Sequence, residues 1–210
     1  MTWSGALEET GEPVDTAQAP IRHRRNAAAT REAILRSALV AFTRSGYDGV
    51  GVREIAKAAG VTAMLVNRYF GSKEKLFAEV VEVTFRERTL ISADVTTLSR
   101  FAAAALVASE PRSIDGFLLM VRSVSNPRAA EILRAGIARH FQQHLVELLP
   151  GAQAGERAAL FLAVLAGVRL MQQVLSSPAL AATDEAALSR RLEEMFQLLV
   201  EPPAEHHQVP

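Results

Sequence analysis

The sequence predicts an all-α protein with a small N-terminal head and a larger helical body. Three observations carry this. Ala (36) and Leu (24) supply well over a quarter of the 210 residues, whereas Gly and Pro together supply 21. Ala and Leu are among the best helix formers. Apolar residues recur at helical spacing and nowhere alternate as they would in a half-buried strand. Gly and Pro fall between the periodic segments, where helices must stop.

The elements follow in order. A first helix is predicted over Thr30–Ser45, because Ile34, Ala38 and Phe42 with Leu35 and Leu39 trace one face and Gly46 ends it. A short second helix covers Arg53–Ala59 and stops at Gly60. A third covers Ala63–Phe70 behind Thr62, a good N-cap. A fourth starts behind Ser72 and runs through Leu76, Val80 and Val83 to about Thr89. The body then reads as long helices broken by turn signals: Asp94–Ser109, Ser113–Ser125, a helix from Asn126-Pro127 to Leu149, Glu156–Leu175 and Asp184–Val200. Asn followed by Pro is an N-cap with Pro at the first helical position. The expected domains are a disordered acidic leader (1–20), the head (21–76), the body (77–201) and a flexible tail (202–210).

Formal net charge is zero, but the charge is segregated. Residues 1–20 carry four acids and no base, residues 21–75 eleven Lys/Arg against four acids, and residues 76–210 twelve against fifteen. A compact segment of +7 ahead of a mildly acidic, apolar remainder is the pattern of one module that meets a polyanion and one that does not. Cysteine is absent, which excludes disulfides, thiolate nucleophiles and Cys-ligated zinc. The longest apolar run, residues 158–168, has eleven residues, too short to span a bilayer. The acidic N-terminus lacks the basic start of a signal peptide, so a cytoplasmic location and no membrane partner are expected.

Within the basic segment, Ala56, Gly60 and Val66 stand at offsets 0, +4 and +10, the spacing of a DNA-binding helix-turn-helix. Ala56 is small where two helices approach, Gly60 can adopt the positive φ of a tight turn, and Ile55, Val61 and Val66 can bury between the helices. Around these, Val52-Arg-Glu-Ile-Ala-Lys-Ala-Ala-Gly-Val-Thr62 and Arg68-Tyr-Phe-Gly-Ser-Lys-Glu-Lys-Leu-Phe77, with Ile34, Ala38, Phe42 and Gly46-Tyr47 upstream, resemble the N-terminal module of the TetR family of bacterial transcriptional repressors. The close resemblance covers about residues 28–77, roughly a quarter of the chain.

The resemblance implies a three-helix DNA-binding head, a larger helical ligand-binding and dimerisation domain, and release of DNA on ligand binding. By position it makes Ala63–Phe70 the recognition helix in the major groove, with Thr62, Ala63, Met64, Asn67 and Arg68 facing the bases. Tyr69, Lys73 and Arg53 become phosphate contacts. The residue chemistry agrees: Asn pairs bidentately with adenine and Arg with guanine, and Lys73 opens a helix whose free N–H groups favour a phosphate. Three positions depart from the family pattern. Asn67 stands where Tyr is most frequent, Met64 where Gly is common, and Gly51 where a capping Thr is usual. Arg22, Arg24 and Arg25, with His23 between, suit an arm reaching phosphates or the minor groove, or equally a solvated basic linker.

In the body, residues 158–171 are apolar almost all round, so the helix they form must bury two faces. Ala163 and Gly167 permit close approach to a partner chain. Leu188, Leu192, Met195 and Leu199 recur at +4, +3, +4, a narrow seam suited to a bundle. These six are the expected homodimer interface. A two-fold dimer implies a near-palindromic operator in double-stranded DNA, with half-sites about 34–36 Å apart or a multiple of that. Phe101, Phe117, Met120, Val121, Phe141 and Phe161 are candidate walls of an effector cavity, and the scarcity of inward-looking polar residues favours a largely apolar small molecule, or none. Arg122 and Arg169 interrupt apolar runs and suit either solvent or an anionic group, on a ligand or a partner.

His140 and His144, at i and i+4, have a metal-capable spacing, but no carboxylate completes a zinc-protease pattern and a solvated face is expected. No Ser/His/Asp grouping, phosphate-cradling Gly loop or carboxylate pair stands out, so neither an enzyme, a cofactor nor a metal is expected. The reading is a dimeric repressor released from its operator by a small molecule. The competing reading is a DNA-binding regulator without such an effector, controlled by a protein partner or by abundance.

Overall fold

The computed structural model describes residues 18–86, 94–108 and 111–202, except for the side chains of 18–26 and 111–115. The leader through residue 17, the tail from residue 203, the fourth helix beyond Arg86 and the side chains of Arg22, His23, Arg24 and Arg25 lie outside the described residues. Among the described residues every regular element is a helix.

Helix α1 (Gln18–Ser45) starts twelve residues before the predicted Thr30. Apolar periodicity marks only the part of a helix that packs; the stretch before it is rich in Ala and Arg, which propagate a helix without a buried face. Pro20 lies in the first turn, where its missing N–H costs nothing. Then come α2 (Val52–Ala58), α3 (Ala63–Phe70) and α4 (Lys73–Arg86), followed by α5 (Val95–Val107) and α6 (Pro111–Ser123). Helix α7 (Pro127–Ile137) passes through a π-helical turn (Ala138–Gln142) into α8 (Gln143–Leu148). Helix α9 (Ala154–Arg169) likewise ends in a π turn (Leu170–Val174). A four-residue helix α10 (Pro178–Ala181), which the Ser-Ser-Pro breaker had not suggested, precedes α11 (Glu185–Val200).

The boundaries rest on side-chain caps. Asp94 accepts from Thr96 N–H (2.9 Å), Asn126 from Arg128 and Ala129 N–H (3.0 and 3.1 Å), and Asp184 from Ala187 N–H (2.9 Å). Each satisfies donors that a helix start leaves orphaned.

Two apolar cores result. The first joins Ile34, Ala38 and Phe42 of α1 to Ile55, Val66, Phe70 and the buried side of α4, and continues into Leu119 of α6 and Leu133 of α7. Its centre is aromatic, with Phe42 and Tyr47 both 5.1 Å from Phe77, edge to face. The second joins α5, α8, α9 and α11 around Phe161 and Phe196, whose rings are 4.5 Å apart. Buried Arg157 staples this core by donating to the carbonyls of Val200 (2.9 Å), Ala152 (3.1 Å) and Pro150. Head and body are therefore not separate packing units. Helix α4 belongs to the first core throughout, and Gly136 of α7 lies so close to it that a Cβ there would come within 2.8 Å of Val81.

Candidate nucleic-acid interface and effector cavity

The α2–α3 turn is built by a Schellman arrangement. Val61 N–H donates to Ala56 C=O (2.9 Å) and Gly60 N–H to Lys57 C=O (3.2 Å), with Gly60 at φ +69°. The motif ties Ala56 and Gly60, the two positions singled out by spacing, to one turn. Thr62 then caps α3, its hydroxyl accepting from Leu65 N–H (3.3 Å). Val66 and Phe70 bury the inner face of α3, which leaves Met64, Asn67 and Arg68 together on the outer face. Met64 is 79% exposed, the most exposed large apolar side chain among the described residues. Ala63 and Tyr69 are half-buried. Gly51 stands at the N-cap of α2 and supplies no side-chain bond there, so the departure from a capping Thr is real.

The cations of the head differ in whether they are paired. Arg31 is paired with Glu79 and Arg36 with Glu32 (2.6 Å), so these cations of α1 are neutralised by neighbours. Arg53, Lys57, Arg68 and Lys73 have no ion pair among the described residues. Lys73, at the start of α4, rests its ammonium 4.4 Å from the centre of the Tyr47 ring, which fixes its direction without neutralising it. Burial raises the Tyr47 phenol above its ordinary pKa, reinforced by Glu74 and Asp48.

In the body, a cavity of about 150 Å³ opens between α4, α5, α6, α7 and α9. Its wall is almost wholly apolar, and Phe117, Met120 and Phe141 of the expected set lie on it. The others lie elsewhere: Phe161 is buried in the second core, Phe101 is 44% exposed and Val121 is half-buried. The expected set omits Phe85 of α4, whose apolar spacing in sequence marks only the buried side of that helix. The set also omits the stripe Leu162, Leu165, Ala166 and Arg169, whose 3–4 spacing marks the inward face of α9.

Comparison with known proteins decides the family. The model described as "Bacterial regulatory proteins, tetR family" matches residues 34–80, and that described as "Tetracyclin repressor-like, C-terminal domain" matches residues 96–200, half of the chain. The chain belongs to the TetR family. The family is one of transcriptional regulators, not of enzymes. The chain is 33% identical over 109 residues to the HTH-type transcriptional regulator BetI of Agrobacterium fabrum, covering 51% of this chain and 48% of that one. It is 40% identical over 53 residues to the HTH-type transcriptional repressor NicS of Pseudomonas putida, a quarter of each chain. The matches thus span half or less of these curated relatives. Among solved structures, a transcriptional regulator from Rhodococcus superposes with a TM-score of 0.59 at 26% identity, over 80% of this chain and 95% of that one. NalD of Pseudomonas aeruginosa, the secondary repressor of a multidrug efflux pump, gives 0.61 at 22%, over 85% and 99%, a likeness of fold.

TetR regulators act as dimers, and the residues expected at the interface divide. Ala163 and Gly167 of α9 and Met195 of α11 (48% exposed) face outward. Leu192 is buried in the second core, with Leu188 and Leu199 packed against it. Three of the four seam residues, Leu188, Leu192 and Leu199, thus pack into the core that α11 shares with α5 of the same chain, and Met195 does not. The outward apolar face instead carries Met195 and Leu198 (77% exposed) beside Leu160, Ala163 and Gly167 of α9.

The remaining polar positions resolve into local roles. Arg122, exposed, donates to the carbonyls of Thr43 (2.6 Å) and Arg44 (3.1 Å) at the end of α1. His140, on the π turn, makes no aligned hydrogen bond but lies 3.0 Å from Glu82. It and Arg139 (2.8 Å) hold the Glu82 carboxyl below its ordinary pKa. No group of three His, Asp or Glu is placed to hold a metal among the described residues. No helix among them is long and apolar enough to cross a membrane.

Proposed function

We propose that this TetR regulator is a homodimeric repressor that leaves a near-palindromic operator when a small, largely apolar molecule fills the body cavity. One observation carries the reading: α4 joins the two sites. Its first residue, Lys73, belongs to the DNA-facing set, and Phe85, near its other end about 20 Å away, forms part of the cavity wall. A ligand pressing on Phe85 re-aims a helix that is packed throughout into the head core, and a packed core answers by switching arrangement, not by yielding locally. To release DNA, the ligand must bind the ill-fitting arrangement more tightly than the operator-fitting one.

On α3, Asn67 and Arg68 supply bidentate base contacts, and exposed Met64 suits a thymine methyl group. Lys73, Tyr69 and Arg53 position the head on phosphates. Outward-facing Leu160, Ala163, Gly167, Met195 and Leu198 form the two-fold interface.

Selection of bound DNA from a random pool defines the operator; binding is then measured against salt for two variants. Asn67→Ala is expected to lose discrimination against mismatched sites, about 1–3 kcal/mol per contacted base pair. Lys73→Ala is expected to weaken all DNA alike and to flatten the log–log salt slope by about 0.9 per head. Equal specificity ratios for the two variants would overturn the assignment.

A further inference from the structure

Arg169 stands between two chambers of the body. It lines the apolar cavity together with Phe85 and Phe117, and also lines a second, polar cavity of about 330 Å³ with Gln172, Gln173, Ser176 and Thr183. Its guanidinium is half-buried and donates to the carbonyl of Ala105. No carboxylate pairs with it among the described residues. Burial alone depresses its pKa, yet an arginine stays protonated in a protein, so the positive charge persists in a largely apolar wall. A half-buried cation without an acidic partner is poorly compensated unless further acceptors complete its hydrogen bonds. Arg169 therefore calls for further acceptors, whereas Gln173 Oε1 in the polar cavity is buried without a donor and adds nothing for an anion.

An acid from a second chain is badly placed to serve Arg169. Gly167 looks outward, and two further residues turn the helix by about 200°, so Arg169 points into the body. Leu162, Leu165 and Ala166, on the same side of α9, line the apolar cavity with it.

We propose that the effector is a small amphipathic carboxylate, its apolar body in the 150 Å³ chamber and its carboxylate paired side-on with Arg169. The inference rests on the cavity being the effector site. Size follows from volume: an apolar cavity of about 150 Å³ accommodates benzene, so the body holds about six carbons. The aromatic faces of Phe85, Phe117 and Phe141 suit a ring or a short alkyl chain equally. Arginine's planar fork matches a carboxylate with two parallel hydrogen bonds, which a neutral amide of the same shape cannot reproduce. Glu185 lines the polar chamber and disfavours a second anionic group there, so a monoanion fits best.

The test uses the full chain and two matched pairs of probes, phenylacetate against phenylacetamide and hexanoate against hexanamide. Calorimetric titration and release of operator DNA are read for the native protein, Arg169→Met and Arg169→Lys. The native protein is expected to bind each carboxylate at least tenfold more tightly than its amide, and to release DNA with it. Arg169→Met is expected to lower the carboxylate to the amide's affinity and leave the amide unchanged. Arg169→Lys is expected to keep a reduced preference, since it retains charge but not the fork. Equal binding of acid and amide by the native protein would overturn the proposal without using any variant. If both then release DNA, the cavity remains the effector site and only the anion assignment fails. If neither binds, the effector reading falls with it.

Discussion

Gly46→Ala and Gly60→Ala ask the protein for nearly the same backbone with two different consequences. The φ angles are +71° and +69°, a region that costs an L-residue about 1–2 kcal/mol. A methyl at Gly60 meets nothing within 4 Å, so that strain is the whole expected loss. At Gly46 the same methyl would stand 2.2 Å from the carbonyl oxygen of Arg122 and 2.9 Å from its carbon. Both are backbone atoms in the last turn of α6, which is held to α1 by the Arg122 bonds and by Tyr47 N–H donating to Ser123 Oγ (3.0 Å). Neither side can rotate away, so overpacking adds about 1–3 kcal/mol. Gly46→Ala should therefore lose about 2–5 kcal/mol and Gly60→Ala about 1–2. Urea unfolding followed by circular dichroism, with slopes compared as well as midpoints, measures both. Losses equal to within about 0.5 kcal/mol would refute the rigid α1–α6 joint, because additive strain and clash cannot then both be present.

Two further perturbations test other parts of the structure. Leu198→Glu, on the outward face, should leave the chain folded but monomeric in sedimentation, whereas Leu192→Ala should cost about 2–5 kcal/mol of stability because Leu192 lies in the second core; the reverse pattern would mean that the α11 seam pairs between chains after all. Glu82→Gln tests the contact at the π turn. The Glu82 carboxyl is depressed in the folded state, so it adds stability above the ordinary glutamate value of about 4.3 and loses it as pH falls through the depressed value. Midpoints of the native protein and the Glu82→Gln variant should be separated at neutral pH and converge in acid; a separation unchanged down to the acid limb would deny the contact any role.

The fold was legible where capping and periodicity act locally. Asn126 was readable as an N-cap and caps α7, while Asp94 and Asp184, expected as first helical residues, cap α5 and α11 from one position outside. What stayed hidden depended on partners. The early start of α1 has no apolar stripe to reveal it, and the two π turns change hydrogen-bond register without changing residue type. The α11 seam shows the same limit differently. Spacing established that Leu188, Leu192 and Leu199 share a face; it did not say whether that face meets α5 or a second chain, since an apolar stripe is compatible with either neighbour.

Head and cavity differ in legibility for one physical reason. A helix that docks in a DNA groove must place particular chemistry at fixed offsets, because the groove dictates the geometry; hence the turn residues Ala56 and Gly60 could be named from spacing, and Asn67 and Lys73 could be proposed as contacts from resemblance. A cavity is defined by side chains that fail to meet, and volume left unfilled has no residue signature. Phe117 and Phe161 look alike in sequence, yet one lines a void and the other fills a core against Phe196. What does leave a mark is the exception, a charge inside an apolar run. Arg169 carries that mark: it lines the apolar cavity with no carboxylate paired to it among the described residues.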